Sequence, residues 1–291
     1  PSLVTSDYGP TLNDQHSCEK NPYKNAINRT FDSLIREAQD WLDYKIMTYQ
    51  TIAESRNYTE QVEHNHARFF PFEVMTSCND LQCIGGECSD DHSKFICGMD
   101  GLSRLDSCLI YAIGSNNEWD FEEDLLERTN CQIHSFDCTG KRDRFNVPEH
   151  DNITFHHICL GAQKLKGIGN DNPRCDHKRL CGDTWTLADI QQHLGHDKVD
   201  LLKLDIEGWE WPIFDVTHTN ASMPMEVLVE VHYNWAGRGA KGVVHDHTME
   251  SAKDLVRLQS RLLGLGYVLV NRDDNPHCRH CTELTLVRVA C

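Results

Sequence analysis

Val199-Asp200-Leu201-Leu202-Lys203-Leu204-Asp205-Ile206-Glu207-Gly208-Trp209-Glu210 is the stretch that decides the fold. A short apolar run stops abruptly at two carboxylates and a glycine. A buried parallel strand reads this way when it delivers acids to the mouth of an open α/β sheet. Ligands of such sheets bind just beyond the carboxyl ends of the strands. Asp205 and Glu207 are therefore the first candidates for an active site. Glu207 has a second use, as a cap for the helix that starts near Trp209.

Outward from this strand, residues 105–291 alternate strands with helices. Strands are predicted at 107–113, 131–136, 153–158, 201–206, 226–232, 266–270 and 284–289. Helices are predicted at 118–128, 187–194, 209–214 and 249–263, with Pro212 tolerated because it lies in a first turn. Such alternation implies a mostly parallel, doubly wound sheet. Only a short loop, 272–281, separates the last two strands. It permits an antiparallel pair but no parallel crossover, so the sheet ends in a reversed strand. Residues 160–185 form an insertion rich in Gly, Asp, Lys and Arg. Residues 1–104 make an N-terminal part: a polar arm over 1–30, one long amphipathic helix over 31–52, and an irregular Cys-bearing connector from His64 to Cys97.

Three groups of residues stand at strand ends. Ile113-Gly114-Ser115 follows the first strand, where a glycine lets the backbone pass close to a ligand. Asp137 closes the second strand, about twenty residues later, a spacing that suits a bidentate grip on a ribose diol. No GxGxxG fingerprint is present, which points to a ligand with a ribose but no pyrophosphate. Glu230 and His232 end the fifth strand, beside Asp205 on the fourth. With alternating side chains they converge, either around a divalent cation or as a general-base group in which His232 takes a proton from a hydroxyl.

The bulk composition narrows the partners and the compartment. The 291 residues carry a formal net charge of -17, which repels phosphate backbones and argues against nucleic acid. No apolar run approaches the ~20 residues of a membrane span. The chain opens at Pro1, which is compatible with a signal or anchor segment removed upstream. Fourteen cysteines, clustered at Cys78, Cys83 and Cys88 and again at Cys175 and Cys181, favour disulfides over metal ligation. Asn28, Asn57, Asn152 and Asn220 each open a glycosylation sequon, twice the about two that chance supplies. A secretory-pathway lumen such as the Golgi, or the extracellular space, is the expected compartment. Zinc at His277-Cys278-Arg279-His280-Cys281 is the rival use of cysteine, but the segment lacks a second Cys/His pair at finger spacing.

Thr186-Leu187-Ala188-Asp189-Ile190, followed by residues 199–210, resembles the FkbM-type S-adenosylmethionine-dependent methyltransferases, whose hallmark is a Lys-Leu-Asp-Ile-Glu-Gly strand end. The cysteine-rich character further resembles secretory methyltransferase-like proteins of animals. The resemblance covers about residues 105–291. It implies an α/β, Rossmann-like class I methyltransferase fold, with seven strands and the last one antiparallel. It implies S-adenosylmethionine as cofactor, lined by Ile113, Gly114 and Ser115, held at the ribose by Asp137 and bordered at the adenine by Cys159 and Leu160; Glu73 is a further contact candidate. It places Asp205 near the transferred methyl, with Mn²⁺ or Mg²⁺ as a possible ion held by Asp205, Glu230 and His232. The expected acceptor is a sugar hydroxyl of a glycan. Two other readings stay open: an O-methyltransferase of a non-glycan hydroxyl, and a secreted binding module that kept the fold without catalysis.

Overall fold

The amphipathic period after Thr30 folds as α1 (Phe31–Asp40), one π-helical turn (Trp41–Lys45) and α2 (Ile46–Ser55). The chain is seen here as a computed structural model that describes residues 18, 21–55, 68–88, 93–177, 179–216, 223–233, 251–276, 278 and 280–291. Thr30 starts the helix because its hydroxyl accepts from the Ser33 N–H at 3.3 Å. The uninterrupted helix expected from the period is corrected at the π turn, where the Ile46 N–H donates to the Trp41 carbonyl. The extra residue resets the phase, so Trp41, Ile46 and Ala53 all face the core.

The connector is less irregular than expected. β1 (Leu81–Ile84) and β2 (Lys94–Cys97) pair as an antiparallel hairpin, and a short helix α3 (Met99–Ser103) follows. The alternating part then runs β3 (Leu109–Ile113), α4 (Asp120–Arg128), β4 (Gln132–Phe136), β5 (Ile153–His156), β6 (Ile158–Leu160), β7 (Asp183–Trp185), α5 (Leu187–Leu194), β8 (Leu201–Leu204), α6 (Glu210–Val216), β9 (Glu226–His232), α7 (Ala252–Gly264), β10 (Tyr267–Asp274) and β11 (Cys281–Arg288). β6, at the start of the insertion, and β7, at its end, form a separate parallel pair.

Seven strands form one sheet in the order β10-β11-β9-β8-β3-β4-β5. The neighbours from β5 through β9 are parallel, and β11 lies antiparallel to both β9 and β10. This is the class I S-adenosylmethionine methyltransferase fold that the sequence leads one to expect. The reversed strand is last in the chain, but it fills the gap between β9 and β10 rather than lying at the sheet edge. The hairpin loop is also shorter than expected, because β10 continues through Arg272 and Asp273 to Asp274. Those polar residues stay in register because the Arg272 guanidinium donates to both Asp274 oxygens at 2.8 Å and to the carbonyls of Phe69 and Phe72.

Apolar residues pack on both faces of the sheet. One cluster runs from Cys18 through Trp41 and Ile110 to Ala290, and the other gathers Tyr111, Phe136, Leu187, Phe214 and Leu286. The first cluster joins the N-terminal part to the sheet.

All fourteen cysteines are paired, as Cys18–Cys291, Cys78–Cys97, Cys83–Cys88, Cys108–Cys131, Cys138–Cys159, Cys175–Cys181 and Cys278–Cys281. The last bridge takes both thiols that the rival zinc reading needed. Asn28 is exposed and Asn152 half-buried, whereas Asn57, Asn220, His64, His66 and His277 lie outside the described residues.

Near the β5 edge, His134 Nδ1 and His156 Nε2 share a hydrogen bond of 2.8 Å, and the Tyr111 hydroxyl meets His196 Nδ1 at 2.7 Å. Burial, and then neighbouring His and Arg charges, push His134 and His156 down to about 4 from 6.5. The unfolded chain therefore takes up protons first as pH falls. The stability these neutral rings contribute is present above pH 6.5 and is lost as pH falls towards 4. Buried carboxyls with raised pKa act in the opposite sense, so the check is a difference. The melting-temperature gap between the wild type and His134→Gln/His156→Gln should shrink or reverse across that window.

Candidate active site

The site grows from the exit of β8. Asp205 follows the four buried residues of the strand, and its N–H donates to the Ile113 carbonyl at 3.2 Å. The ends of β3 and β8 are thus tied together. Gly114 adopts φ +86°, and a Cβ there would lie 1.8 Å from the Asp205 carbonyl oxygen. The backbone then turns sharply through Glu207 (φ +57°) and Gly208 (φ +97°). What holds this turn is Glu210, whose Oε1 accepts from the N–H groups of Ile206 at 3.1 Å and Gly208 at 3.2 Å. The Glu207 side chain is exposed, 3.6 Å from His232 Nε2.

His232 is buried at the end of β9. Its Nδ1 meets Glu210 Oε1 at 3.1 Å, and its Nε2 lies 3.6 Å from Glu230 Oε2. Burial alone would lower its proton affinity, but Glu210, Glu230 and Asp205 outweigh burial and raise it well above the ordinary histidine range. With both ring nitrogens facing carboxylates, the geometry favours the protonated ring over the free base read from sequence.

The structure adds three residues to the set: Glu210, Lys94 and Glu283. Lys94 arrives from β2, outside the alternating part, and is almost wholly buried. Its Nζ lies 2.6 Å from Glu283 Oε1 and 3.2 Å from Asp205 Oδ2. Glu283 on β11 faces Glu230 on β9 directly. Two acids opposite one another in an antiparallel pair repel unless a proton or a cation intervenes. Here both do. Burial, with the charges of Asp205 and Glu283, raises Glu230 above the carboxylate range and favours its protonated form. Burial and then Asp205 push Glu283 up to about 7, against the pull of Lys94. Asp205 shows the opposite balance: burial would raise it, but Lys94, Lys203 and His232 hold it far below its ordinary range. In sequence, the only trace of Glu283 is an acid on a strand face that otherwise buries Thr285 and Val287. Lys94 leaves no trace, because its partners are more than a hundred residues away.

The oxygens of Asp205, Glu230 and Glu283 come within 4.8 Å of one another. The Asp205–Glu230–His232 ion site does not fit this arrangement. The Lys94 ammonium already lies against the carboxylates, and both His232 nitrogens face other acids.

On the cofactor side, Ile113 and Ser115 are buried. The Ser115 hydroxyl has no partner among the described residues. Asp137 is largely committed: Oδ1 accepts from Thr139 N–H at 2.8 Å and Thr139 Oγ1 at 2.6 Å, and Oδ2 from Asn116 N–H at 2.9 Å. A carboxylate has about four acceptor positions, so one remains on Oδ2, enough for a single hydroxyl rather than a diol. Cys159 is bonded to Cys138 beside Asp137, and Leu160 is buried next to it. A cavity of about 310 Å³ opens on the same side, lined by His157, Ile158, Cys181, Arg142, Asp183 and Trp185 among others. Glu73 is not brought to this place. It hydrogen-bonds Tyr49 and pairs with Lys45 at 3.2 Å, and its neighbour Met75 bonds Leu269 on β10. β10 stands four strand positions from β3, about 19 Å at the usual strand spacing.

Comparison with known proteins places the chain in a family. Residues 23–288 match the family described as Methyltransferase domain (Methyltransf_22). The chain is 22% identical over 141 residues to the human probable methyltransferase-like protein 24, covering 48% of this chain and 36% of that protein. It is 23% identical over 180 residues to the rat protein of the same name, covering 60% and 46%. It thus spans less than half the length of these relatives. Among solved structures, it resembles an S-adenosylmethionine-dependent methyltransferase from Mesorhizobium loti (TM-score 0.36, 14% identity, 62% of this chain and 91% of that one). A putative one from Listeria monocytogenes is similar at TM-score 0.35 and 7% identity, with the same coverage. The family match takes in the β1–β2 hairpin and its lysine as well as the sheet, and on that extent the chain belongs to the Methyltransferase domain family.

Proposed function

We propose that this chain transfers the methyl group of S-adenosylmethionine to a sugar hydroxyl of a glycan, in the lumen of the secretory pathway. The observation that carries the reading is the juxtaposition of two features. The glycine exit of β3 stands against the Asp205 backbone, and beside it the buried Ser115 hydroxyl has no partner among the described residues. The Asp205, Glu230, Glu283 and Lys94 cluster opens immediately beyond it. The sugar acceptor draws support from the resemblance of residues 186–210 to FkbM-type enzymes. The lumenal setting draws support from seven disulfides with no free thiol among the described residues.

The residues fit the cofactor. Gly114 and Ser115 line its amino-acid end, the remaining Asp137 acceptor position takes one ribose hydroxyl, and the cavity beside Ile158 and Trp185 receives the adenine. The bound cofactor supplies a sulfonium whose methyl is already activated. The protein therefore has to align the acceptor oxygen, exclude water and remove a proton. Asp205, kept ionised by Lys94, orients the acceptor hydroxyl. His232, tied to Glu210, fixes the loop that carries Asp205.

Calorimetry tests the first step. S-adenosylmethionine should bind the wild type, and Ser115→Ala and Asp137→Asn should each weaken binding about tenfold. Absence of wild-type binding would leave only a binding module with this fold. Incubation with labelled cofactor and a panel of methyl glycosides and N-glycans, read by mass spectrometry, tests the acceptor. Label appearing only on non-sugar hydroxyls would overturn the glycan part. With the active acceptor, Asp205→Asn should lower kcat about 100-fold while changing the affinity for cofactor little.

A further inference from the structure

We propose that Lys94 is the built-in cation of this site, standing where related chemistry uses a divalent ion, and that Glu283 is the group that takes the acceptor's proton. The inference rests on the methyl-transfer reading above for its second half only. The first half is a statement about which cation the carboxylates hold.

The argument begins with the number of acids. Asp205, Glu230 and Glu283 converge from three strand ends, with oxygens inside 4.8 Å. Even with Glu230 protonated, the Asp205 and Glu283 carboxylates repel at that spacing, and positive charge among them offsets the repulsion. β2 supplies that charge, with Nζ at 2.6 Å from Glu283 and 3.2 Å from Asp205. Its position is fixed from the neighbouring residues: Phe95 accepts a hydrogen bond from Thr285 at 2.8 Å, and the Cys97 N–H donates to the buried Glu226 at 2.7 Å. Cys97 is also bonded to Cys78. These contacts fix the strand that carries the ammonium against the acids.

Exposure then separates the roles. The side chain of Lys94 is 1% exposed, His232 3% and Glu230 6%, against 17% for Glu283 and 21% for Asp205. An acceptor therefore reaches Asp205 and Glu283 and none of the other three. Lys94 is a positioning residue that acts through these two. Asp205 accepts a hydrogen bond from the acceptor, and Glu283 removes the proton. In the step, the acceptor oxygen forms a bond to the methyl carbon as the bond from that carbon to sulfur breaks. The electron pair of the broken bond stays on sulfur and neutralises it, and the hydroxyl proton passes to the Glu283 carboxylate. The products are the methyl ether, S-adenosylhomocysteine and a protonated Glu283.

Manganese electron paramagnetic resonance tests the cation half without any acceptor. Wild-type protein at 50 μM, on the order of a typical titration, should leave free Mn²⁺ unbound at this site, and Lys94→Met should gain about one bound ion per chain. Lys94→Met/Glu283→Gln should lose it again. If Lys94→Met does not fold, the wild type still decides: a bound Mn²⁺ that Glu283→Gln or Asp205→Asn releases overturns the inference. The proton half is read with the active glycoside. Glu283→Gln should lower kcat at least 50-fold with the KM for cofactor within twofold, and Glu283→Asp should recover part of the rate. A Glu283→Gln enzyme of wild-type kcat overturns that half. Mn²⁺ results stand even if no acceptor in the panel is methylated, so the two readings fail separately.

Discussion

Gly114→Ala is expected to abolish cofactor binding and to lower the stability of the domain by about 4 kcal/mol, at the upper end of single-substitution effects. Two independent costs add at this position. The first is local: at φ +86° an L side chain meets its own carbonyl, which costs about 1–2 kcal/mol. The second is tertiary: the new methyl would lie 1.8 Å from the Asp205 oxygen, 2.9 Å from its carbonyl carbon and 3.2 Å from a methyl of Ile206. All but the last are backbone atoms, so no rotamer change relieves the contact. The exits of β3 and β8 have to part. That separation breaks the Asp205 N–H bond to Ile113 and shifts the Gly114 carbonyl that Lys203 holds at 3.1 Å. Urea unfolding and calorimetry with S-adenosylmethionine check both consequences. Gly195→Ala is the control. It also has positive φ, but its Cβ would meet nothing within 4 Å, so it should cost only the local term. Equal effects at the two positions would show that the contact with Asp205 is unimportant.

The contrast between these two glycines shows what the chain makes legible. Local signals were sufficient for α5, which runs from Leu187 to Leu194 as read from sequence. Thr186 and Asp189 form a reciprocal capping box and Gly195 ends the helix in the left-handed region. The strands β3, β4, β8 and β9 were legible from apolar runs that stop at a polar residue, and these runs placed Asp205, Glu230 and His232 together. Three things were not legible. β10 and β11 gain their outer halves from Arg272, whose local fork on Asp274 is backed by tertiary bonds to the Phe69 and Phe72 carbonyls, in a run that reads as loop. Glu283 sits in that hidden half, so it was missed with it. Lys94 was missed because a lysine between Ser93 and Phe95 has the pattern of a solvated strand end. Only the fold brings it to acids 111 residues (Asp205) and 189 residues (Glu283) away along the chain. Charge partners of high sequence separation leave no periodicity.

Breaking the Cys18–Cys291 bridge should cost about 5 kcal/mol of stability, the largest effect of any single disulfide here. The bridge closes a loop of 273 residues. In the chain-entropy account, the denatured state then loses about 5.6 kcal/mol of conformational freedom. The other six bridges shorten the effective loop, but the dependence is logarithmic and removes only about 0.3 kcal/mol. The Cys175–Cys181 bridge, with a separation of 6, should matter by only about 2 kcal/mol on the same account. Cys18→Ser/Cys291→Ser and Cys175→Ser/Cys181→Ser, each unfolded in urea, give the comparison; similar losses for the two pairs would reject loop entropy as the cause. A consequence for activity follows from where the bridge lies. It anchors the segment in which Asn21 donates to the Arg288 carbonyl at 2.7 Å, Tyr23 to the Asp200 carbonyl at 3.2 Å, and Ala26 accepts from the Asn79 N–H at 2.7 Å. Tyr23 and Ala26 also lie against Gly98, at the exit of β2, where a Cβ would come within 3.0 and 3.1 Å of them. This segment therefore backs the strand that presents Lys94. Losing the bridge at a temperature where the domain remains folded should loosen β2 and lower kcat, with the wild-type rate regained on reoxidation of the mildly reduced protein. A rate unchanged by selective reduction of this bridge would mean that the Cys78–Cys97 bond holds β2 without it.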